Sequence, residues 1–333
     1  MIRGSKRTCR HVLIAICAML LLTIGPLSAM AAQDGKAAVA DDVTIKLDGE
    51  VIQISDPVRK LDGRLFLPVA KVAELFGAKV KWDNKTEEAT IHTTYGDVIV
   101  FGNEVPVVYF NEGRYILGEI PFIAEGRMYI PLRDTAELLH ASVKWNDAEN
   151  TAELTTVEPA VVTAEAGIDE ISKTTGISKT ELLARNGLDS KDTIKAGTKL
   201  RVVIPSVLDH KAKPFTEEDL ELLAKITQVE AGNESYEGQL GVANVILNRV
   251  KDPRFPSSIK GVIYSGKQFP PAHNGMLDKA KPNASVLRAA KDALNGKNNV
   301  GKAVYFFNPK VSTGSFWDSL DVIVTIGHHS FAK

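Results

Sequence analysis

Cysteine is nearly absent from this chain. Two occur in 333 residues, Cys9 and Cys17, and both fall in an N-terminal stretch that reads as a removable leader. Without that stretch the chain has no disulfide, no thiol nucleophile and no thiolate metal ligand, which excludes cysteine-based peptidase chemistry. Charge of one sign is also lacking. A net −1 gives no cationic excess with which to neutralise phosphates, so general nucleic-acid binding is excluded. At 44% hydrophobic and 24% charged, with 25 Gly and 15 Pro, the composition excludes a wholly disordered, collagenous or many-span membrane chain. The HExxH spacing of zinc peptidases is missing as well. The length predicts two or three domains.

Residues 1–31 have the grammar of a signal peptide. Arg3, Lys6, Arg7 and Arg10 form a cationic n-region, and Val12 to Ile24 is a thirteen-residue apolar run, short for a bilayer span. Gly25-Pro26 breaks it, and Ala29-Met30-Ala31 supplies the small-x-small cleavage pattern. The alternative is an uncleaved N-terminal anchor. Cleavage after Ala31 removes four basic and no acidic residues, leaving 36 basic against 41 acidic, a net −5. A cleaved leader of this kind predicts a secreted protein.

An internal repeat follows. Asp62 to Thr93 and Glu125 to Thr156 align without a gap at an offset of 63, identical at twelve of thirty-two positions. Each copy predicts a turn (Asp62-Gly63, Glu125-Gly126), a short strand ending at Pro68 or Pro131 and an amphipathic helix. A Val-Lys-Trp strand, an acidic turn and a closing strand complete it. Two copies are too few for a solenoid, so a compact duplicated α+β domain over 43–156 is expected. Trp82 and Trp145 hold the same place in both copies and are expected in the core. A sugar-stacking role is the alternative for both. The paired "G-R-x-x-x-P … A-E-L … V-K-W" pattern resembles the copper amine oxidase N-terminal-like domain, found as a stalk on secreted bacterial proteins. No histidine cluster with ligand spacing accompanies it, so no copper is expected; His92 and His140 read as isolated structural residues.

Residues 160–205 form a second, smaller unit. Ile171, Ile177, Leu182, Leu183 and Leu188 predict two short helices, with Ser178 capping the second and Glu181 closing its capping box. Leu200 to Ile204 reads as a terminal strand. The "T-G-I-S-x-x-E-L-L-x-x-N-G-L" stretch resembles a LysM module, a glycan-binding βααβ unit. Ahead of the first helix, Ala166-Gly167-Ile168-Asp169 stands where the family places Gly-Asp-Thr/Ser-Leu.

The chemistry is expected in 215–333. Thr216 and Asp219 form a helix start, and Leu220, Leu223, Ile226 and Thr227 step along one apolar stripe. The next step on that stripe is Glu230. Burial and the negative end of the helix dipole both favour its protonated form, as a general acid requires. A partly exposed glutamate paired with a lysine is the alternative. Gly232-Asn233 ends the helix, so Glu234 falls in the turn or caps the next helix, about Tyr236 to Val250. Its residues alone give Glu234 a structural role.

Val229-Glu230-Ala231-Gly232-Asn233-Glu234, Val242 to Val250, Asp252 to Pro256, Gln268-Phe269, Tyr305-Phe306-Phe307-Asn308-Pro309 and Ile326-Gly327-His328-His329 together resemble the SleB/CwlJ-type cell wall hydrolase family, which includes spore cortex-lytic enzymes. The resemblance implies a mainly helical, lysozyme-like catalytic domain. The whole chain is then a multidomain α+β protein: duplicated α+β stalk, small βααβ LysM-like module and SleB-type catalytic domain. The resemblance implies that Glu230 is the catalytic acid of a lytic transglycosylase, cutting the MurNAc-GlcNAc β-1,4 bond without water. Glu234, Gln268, Phe269, Tyr305 and Asn308 become candidate substrate-binding residues. It implies peptidoglycan glycan strands as partner, spore cortex during germination being one source, and admits an accessory germination protein. No cofactor and no metal are called for: His328-His329 lacks a third ligand and reads as structural or substrate-contacting. A conventional hydrolase, and a non-catalytic wall-binding module that keeps the lytic fold, are the alternatives.

Overall fold

A computed structural model describes residues 37–266 and 268–333. The expected signal peptide lies outside the described residues. The described chain is a mixed α+β structure.

Both repeats fold as strand, short helix and two-stranded hairpin. In the first, strand Arg64–Pro68 runs into α1 (Val69–Leu75), then Lys79–Asp83 and Glu88–His92. In the second, Arg127–Pro131 runs into α2 (Leu132–Leu138), then Ala141–Asn146 and Thr151–Thr156. Each proline closes its strand and precedes the first helical residue, where a missing N–H costs nothing further along. The opening turns are two-residue loops in which both residues have positive φ: 48° and 78° at Asp62-Gly63, 51° and 74° at Glu125-Gly126. That geometry matches strand twist and brings Leu61 opposite Arg64 and Ala124 opposite Arg127.

The copies are joined through equivalent strands. Arg64–Pro68 and Arg127–Pro131 pair antiparallel, with Leu67 directly opposite Ile130. These two residues are 63 apart, the repeat offset, so the pairing is self-complementary, as a two-fold requires. Around the pair Phe66, Leu67, Ile130, Val72 and Ala136 are buried. The tryptophans depart from expectation. Trp82 and Trp145 are 38% and 37% exposed, because each lies on the last strand of its sheet. Their indole N–H groups are satisfied locally by Asn84 Oδ1 at 2.6 Å and Asp147 Oδ1 at 2.7 Å.

Residues 160–205 carry a short antiparallel pair, Ala160–Val161 with Lys199–Leu200. It flanks α3 (Ile168–Thr175) and α4 (Lys179–Arg185). Ser178 caps α4 with the reciprocal Glu181 bond. Val162, Ile171, Leu182 and Leu200 make its small core. This unit is latched to the repeats by polar contacts that sequence spacing does not show. Asp97 holds both Arg185, at 3.0 Å, and Arg201. His140 accepts N–H bonds at Nε2 from Val202 (2.8 Å) and Val203 (3.1 Å), while its Nδ1 lies 2.6 Å from the Val157 carbonyl. Burial pushes the His140 pKa down, which keeps Nε2 free to accept.

The C-terminal part contains α5 (Glu217–Ala231), α6 (Tyr236–Lys251), α7 (Ile259–Tyr264), α8 (Met276–Lys279), α9 (Ala284–Leu294) and α10 (Ser315–Asp318). A three-stranded sheet completes it, ordered Tyr305–Phe307, His329–Ala332, Val322–Ile326. Thr216 and Asp219 form the expected capping box. Leu223, Ala224 and Ile226 of α5 pack with Leu240, Ala243 and Ile246 of α6 and with Val286, Ala289 and Ala290 of α9. Helix α9 is tied back to the first repeat. Arg288 pairs with Glu87 and Lys291 with Glu88, both at 2.7 Å, and Arg114 Nη2 donates to Asn295 Oδ1 at 2.7 Å.

The Asp97 side chain is 2% exposed and that of Arg185 is 0%, so removing one partner strands a charge away from water. Asp97→Ala is expected to destabilise the chain by about 3–5 kcal/mol. Denaturant unfolding checks this; the exposed Lys179–Asp169 pair is the control, expected to contribute less than about 1 kcal/mol.

Candidate active site

Glu230 sits in the last turn of α5, beside the buried Ala231. The four-residue junction Gly232–Ser235 separates α5 from α6, and Ser235 caps α6 by accepting from Gly238 N–H. Glu230 is half-buried. Among the described residues its carboxyl group makes no hydrogen bond and no ion pair. Burial pushes its pKa up, and the charge of Arg249 opposes the shift. The lysine pair of the alternative reading is not formed; an unpaired, partly desolvated carboxyl group is present instead.

Arg249 was not marked from the sequence, although the signal was there. It lies on the inward face of α6, three residues after Ile246 and seven after Val242, both fully buried. A cation on an apolar stripe is as unusual as a carboxylate on one. Its side chain is buried, with Nε donating to the Val304 carbonyl at 2.7 Å. The guanidinium lies over the rings of Phe255, Phe269 and Tyr305, at 5.2, 5.4 and 5.9 Å from their centroids. Burial pushes its pKa down to about 10, and Tyr305 and Glu230 pull the other way. It stays charged near neutral pH. The site therefore holds an acid whose pKa burial raises, a fixed cation whose charge acts on it, and a half-buried tyrosine beside that cation.

The other expected residues divide. Tyr305 stands beside this centre, its ring edge-on to Phe316 at 5.7 Å. Phe316 is 52% exposed, and Trp317 packs against it at 5.1 Å and against Phe307 at 4.9 Å. Phe316 and Trp317 were also missed in the sequence; a Gly-Ser-Phe-Trp run carries no periodicity. Phe269, expected on the wall of a sugar groove, is 1% exposed and stacks on Phe306 at 6.5 Å. It backs Arg249 from the core and presents no ring face to a ligand. Gln268 is exposed, with no side-chain hydrogen bond among the described residues. Asn308 spends its side-chain oxygen on Lys310 N–H at 3.0 Å, and its carbonyl accepts from Ser312 N–H at 2.9 Å, so it builds a turn.

Glu234 is committed to the C-terminal hairpin. One carboxylate oxygen accepts from His328 N–H at 3.1 Å, and the other lies 2.8 Å from His328 Nδ1. Its carbonyl accepts from Gln239 Nε2 at 2.9 Å. Gly327, at φ 58°, passes so close that a Cβ there would collide with the Glu234 carboxylate. Partial burial would raise the Glu234 pKa, but the two His328 bonds and the neighbouring histidines prevail and lower it. Glu234 thus fixes the α5–α6 junction against the hairpin, the structural role its residues alone suggested.

A carboxylate with a lowered folded-state pKa stabilises the fold above its unfolded value and loses that contribution as pH falls through the folded one. Acidification below the usual glutamate range is expected to loosen the 322–332 hairpin in the parent chain. In Glu234→Gln the same hairpin is expected to be loose already near neutral pH and to change less with acid. Hydrogen exchange of the Ser330 and Phe331 amides across pH checks both. Gly327→Ala is expected to share the neutral-pH defect, since its Cβ displaces the carboxylate.

Three family profiles match this chain. The Cell Wall Hydrolase family profile matches residues 233–332, the Copper amine oxidase N-terminal domain profile 46–154 and the LysM domain profile 168–203. The first profile begins just after Glu230. Over 119 residues, 36% of this chain, the sequence is 38% identical to the spore cortex-lytic enzymes of Halalkalibacterium halodurans and Bacillus subtilis, covering 36% and 39% of those proteins. It is 36% identical to that of Bacillus cereus, covering 46%. The chain thus aligns with less than half the length of these curated relatives. Among solved structures, the catalytic domain of the germination-specific lytic transglycosylase SleB from Bacillus anthracis matches at 35% identity. That match covers 36% of this chain and 98% of that one, with a TM-score of 0.34. The catalytic domain of the Bacillus cereus SleB protein matches at 36% identity, over 36% and 94%, with a TM-score of 0.35.

Proposed function

We propose that this chain, which carries a cell wall hydrolase domain together with LysM and copper amine oxidase N-terminal domains, is an exported peptidoglycan-degrading enzyme of the lytic transglycosylase type. In this reading 1–31 is the leader, 43–156 the stalk, 160–205 the wall-binding module and 215–333 the catalytic domain. The substrate is the glycan strand, with spore cortex the source favoured by the spore cortex-lytic relatives. The observation that carries the reading is Glu230: a half-buried carboxyl group with no bonding partner among the described residues, under the charge of the buried Arg249 guanidinium.

The steps follow from that pair. Protonated Glu230 gives its proton to the oxygen joining MurNAc C1 to GlcNAc C4. The C1–O bond breaks, the GlcNAc side leaves with a 4-hydroxyl, and positive charge develops at C1. Glu230 is now a carboxylate, and Arg249 stabilises that form by charge. The muramyl 6-hydroxyl then attacks C1 while its proton returns to Glu230, closing a 1,6-anhydro ring and restoring the acid. No water is consumed. A single carboxylate serves both half-steps, unlike the pairs of ordinary glycosidases. The opposing effects on Glu230 suit this double duty: burial holds the proton for the first step, and Arg249 limits the energy of the anion between steps. Tyr305, Phe316 and Trp317 offer aromatic surface to pyranose rings, and Gln268 an exposed amide. Phe269 acts only by supporting Arg249.

Purified protein is expected to release 1,6-anhydromuramyl fragments from peptidoglycan, identified by mass spectrometry. Glu230→Gln is expected to reduce release by about 10²–10⁴-fold or more, with unchanged circular dichroism. Reducing-end muramic acid would replace this scheme with hydrolysis. Absence of fragments from both cortex and vegetative sacculi would leave a wall-binding module. Because activity needs protonated Glu230, the rate is expected to fall as pH rises through its raised pKa. Arg249→Met, which removes the charge holding that pKa down, is expected to move the fall to higher pH while lowering the maximal rate.

A further inference from the structure

A concave site lies where the second repeat meets residues 60–65. It is a cavity of about 520 Å³ lined by Lys60, Arg64, Glu119, Arg133, Asp134 and Lys144, with Trp145 and Ser206 at its edge. Its volume falls within the range of small-molecule sites. Nothing in the lytic reading uses it.

Its charges do not cancel internally. Arg64 lies 3.5 Å from Glu119, but Arg133, Lys144 and Asp134 make no side-chain hydrogen bond or ion pair among the described residues. Asp134 is half-buried, and burial followed by the Glu137 charge pushes its pKa up, against Arg64 and Arg133. Four cations face two carboxyl groups, so a ligand with negative charge is favoured. The two carboxyl groups disfavour a phosphate dianion, yet they accept hydrogen bonds from hydroxyls. Trp145 adds a flat apolar face with its N–H already spent on Asp147, and the Lys60 ammonium lies 5.9 Å from its ring centroid. A ring stacked on this tryptophan would bring a pendant carboxylate among cations and its hydroxyls towards Asp134 and Glu119.

We propose that this cavity is a binding site for an acidic saccharide, a pyranose ring bearing one carboxylate. The site joins residues 60–65 at the start of the first repeat to the helix and tryptophan strand of the second. At the repeat offset, Arg133 and Asp134 correspond to Ala70 and Lys71, and Lys60 corresponds to Ile123, while Trp145 corresponds to Trp82. The first copy keeps Trp82, Lys81 and an Arg127–Asp56 pair but has no counterpart of Lys60, Arg133 or the Asp134 carboxyl group, so it serves as an internal comparison for those three side chains. The proposal does not rest on the lytic reading, since none of these residues takes part in it.

Calorimetric titration of the full chain with N-acetylmuramic acid tests the idea. Saturable binding is expected, at least about tenfold tighter than N-acetylglucosamine, which lacks the carboxylate, and tighter than inorganic phosphate. Glucuronate is expected to bind as well, which would place recognition in the shared carboxylate and ring. Arg133→Ala, at an exposed position, is expected to weaken binding about tenfold or more while leaving fragment release from sacculi unchanged. Trp82→Ala is expected to bind as the parent does. No saturable binding, equal affinity for N-acetylglucosamine, tighter binding of phosphate, or an unaffected Arg133→Ala variant would each overturn the proposal.

Discussion

A carboxyl group held partly out of water, with the charge of the Arg249 guanidinium acting on it, is the constraint around which the C-terminal region is arranged. Ionised carboxylates are expensive to desolvate, and proteins normally meet that cost with bonds or ion pairs. Glu230 has neither among the described residues, so burial raises its pKa and shifts it towards the protonated form. Arg249 keeps that preference within bounds. It can do so only because the Val304 carbonyl and three aromatic rings hold its planar head in one place. The aromatic cluster, the capped junction after α5 and the Glu234–His328 clasp all serve the same end: they fix two helices and a hairpin around one unpaired acid and one buried cation.

The same economy governs how the parts are joined. The repeats associate through self-equivalent strands, where Leu67 meets Ile130, so one hydrophobic strand solved the pairing problem for both copies. Elsewhere the joints are charged. Asp97 reaches Arg185 and Arg201, and Glu87 and Glu88 reach Arg288 and Lys291. Ionic joints between segments distant in sequence give a defined register without exposing apolar surface during folding.

Much of this was legible in the residues. Turn chemistry at Asp62-Gly63 and Glu125-Gly126, the prolines at 68 and 131, and the capping boxes at Thr216 and Ser178 are local signals, and each led to the element it announces. Glu230 was legible because helical period placed a carboxylate on an apolar stripe. The misreadings have one cause, the lack of partner information. Trp82 and Trp145 look like core residues until their strands turn out to be sheet edges. Phe269 and Asn308 sit in motifs that suggest a sugar groove, yet one ring packs inward and one amide closes a turn. Arg249 obeys the same rule as Glu230, but the carbonyl and the rings that hold a buried cation there come from distant segments that helical period does not show.

The most direct measurement is the titration of the Glu230 carboxyl carbon by NMR in the resting protein and in Arg249→Met. The account predicts a midpoint above the ordinary glutamate value of about 4.3 in the parent chain, and a higher one once the guanidinium is gone. A midpoint at or below the ordinary value, or one unmoved by loss of Arg249, would contradict it.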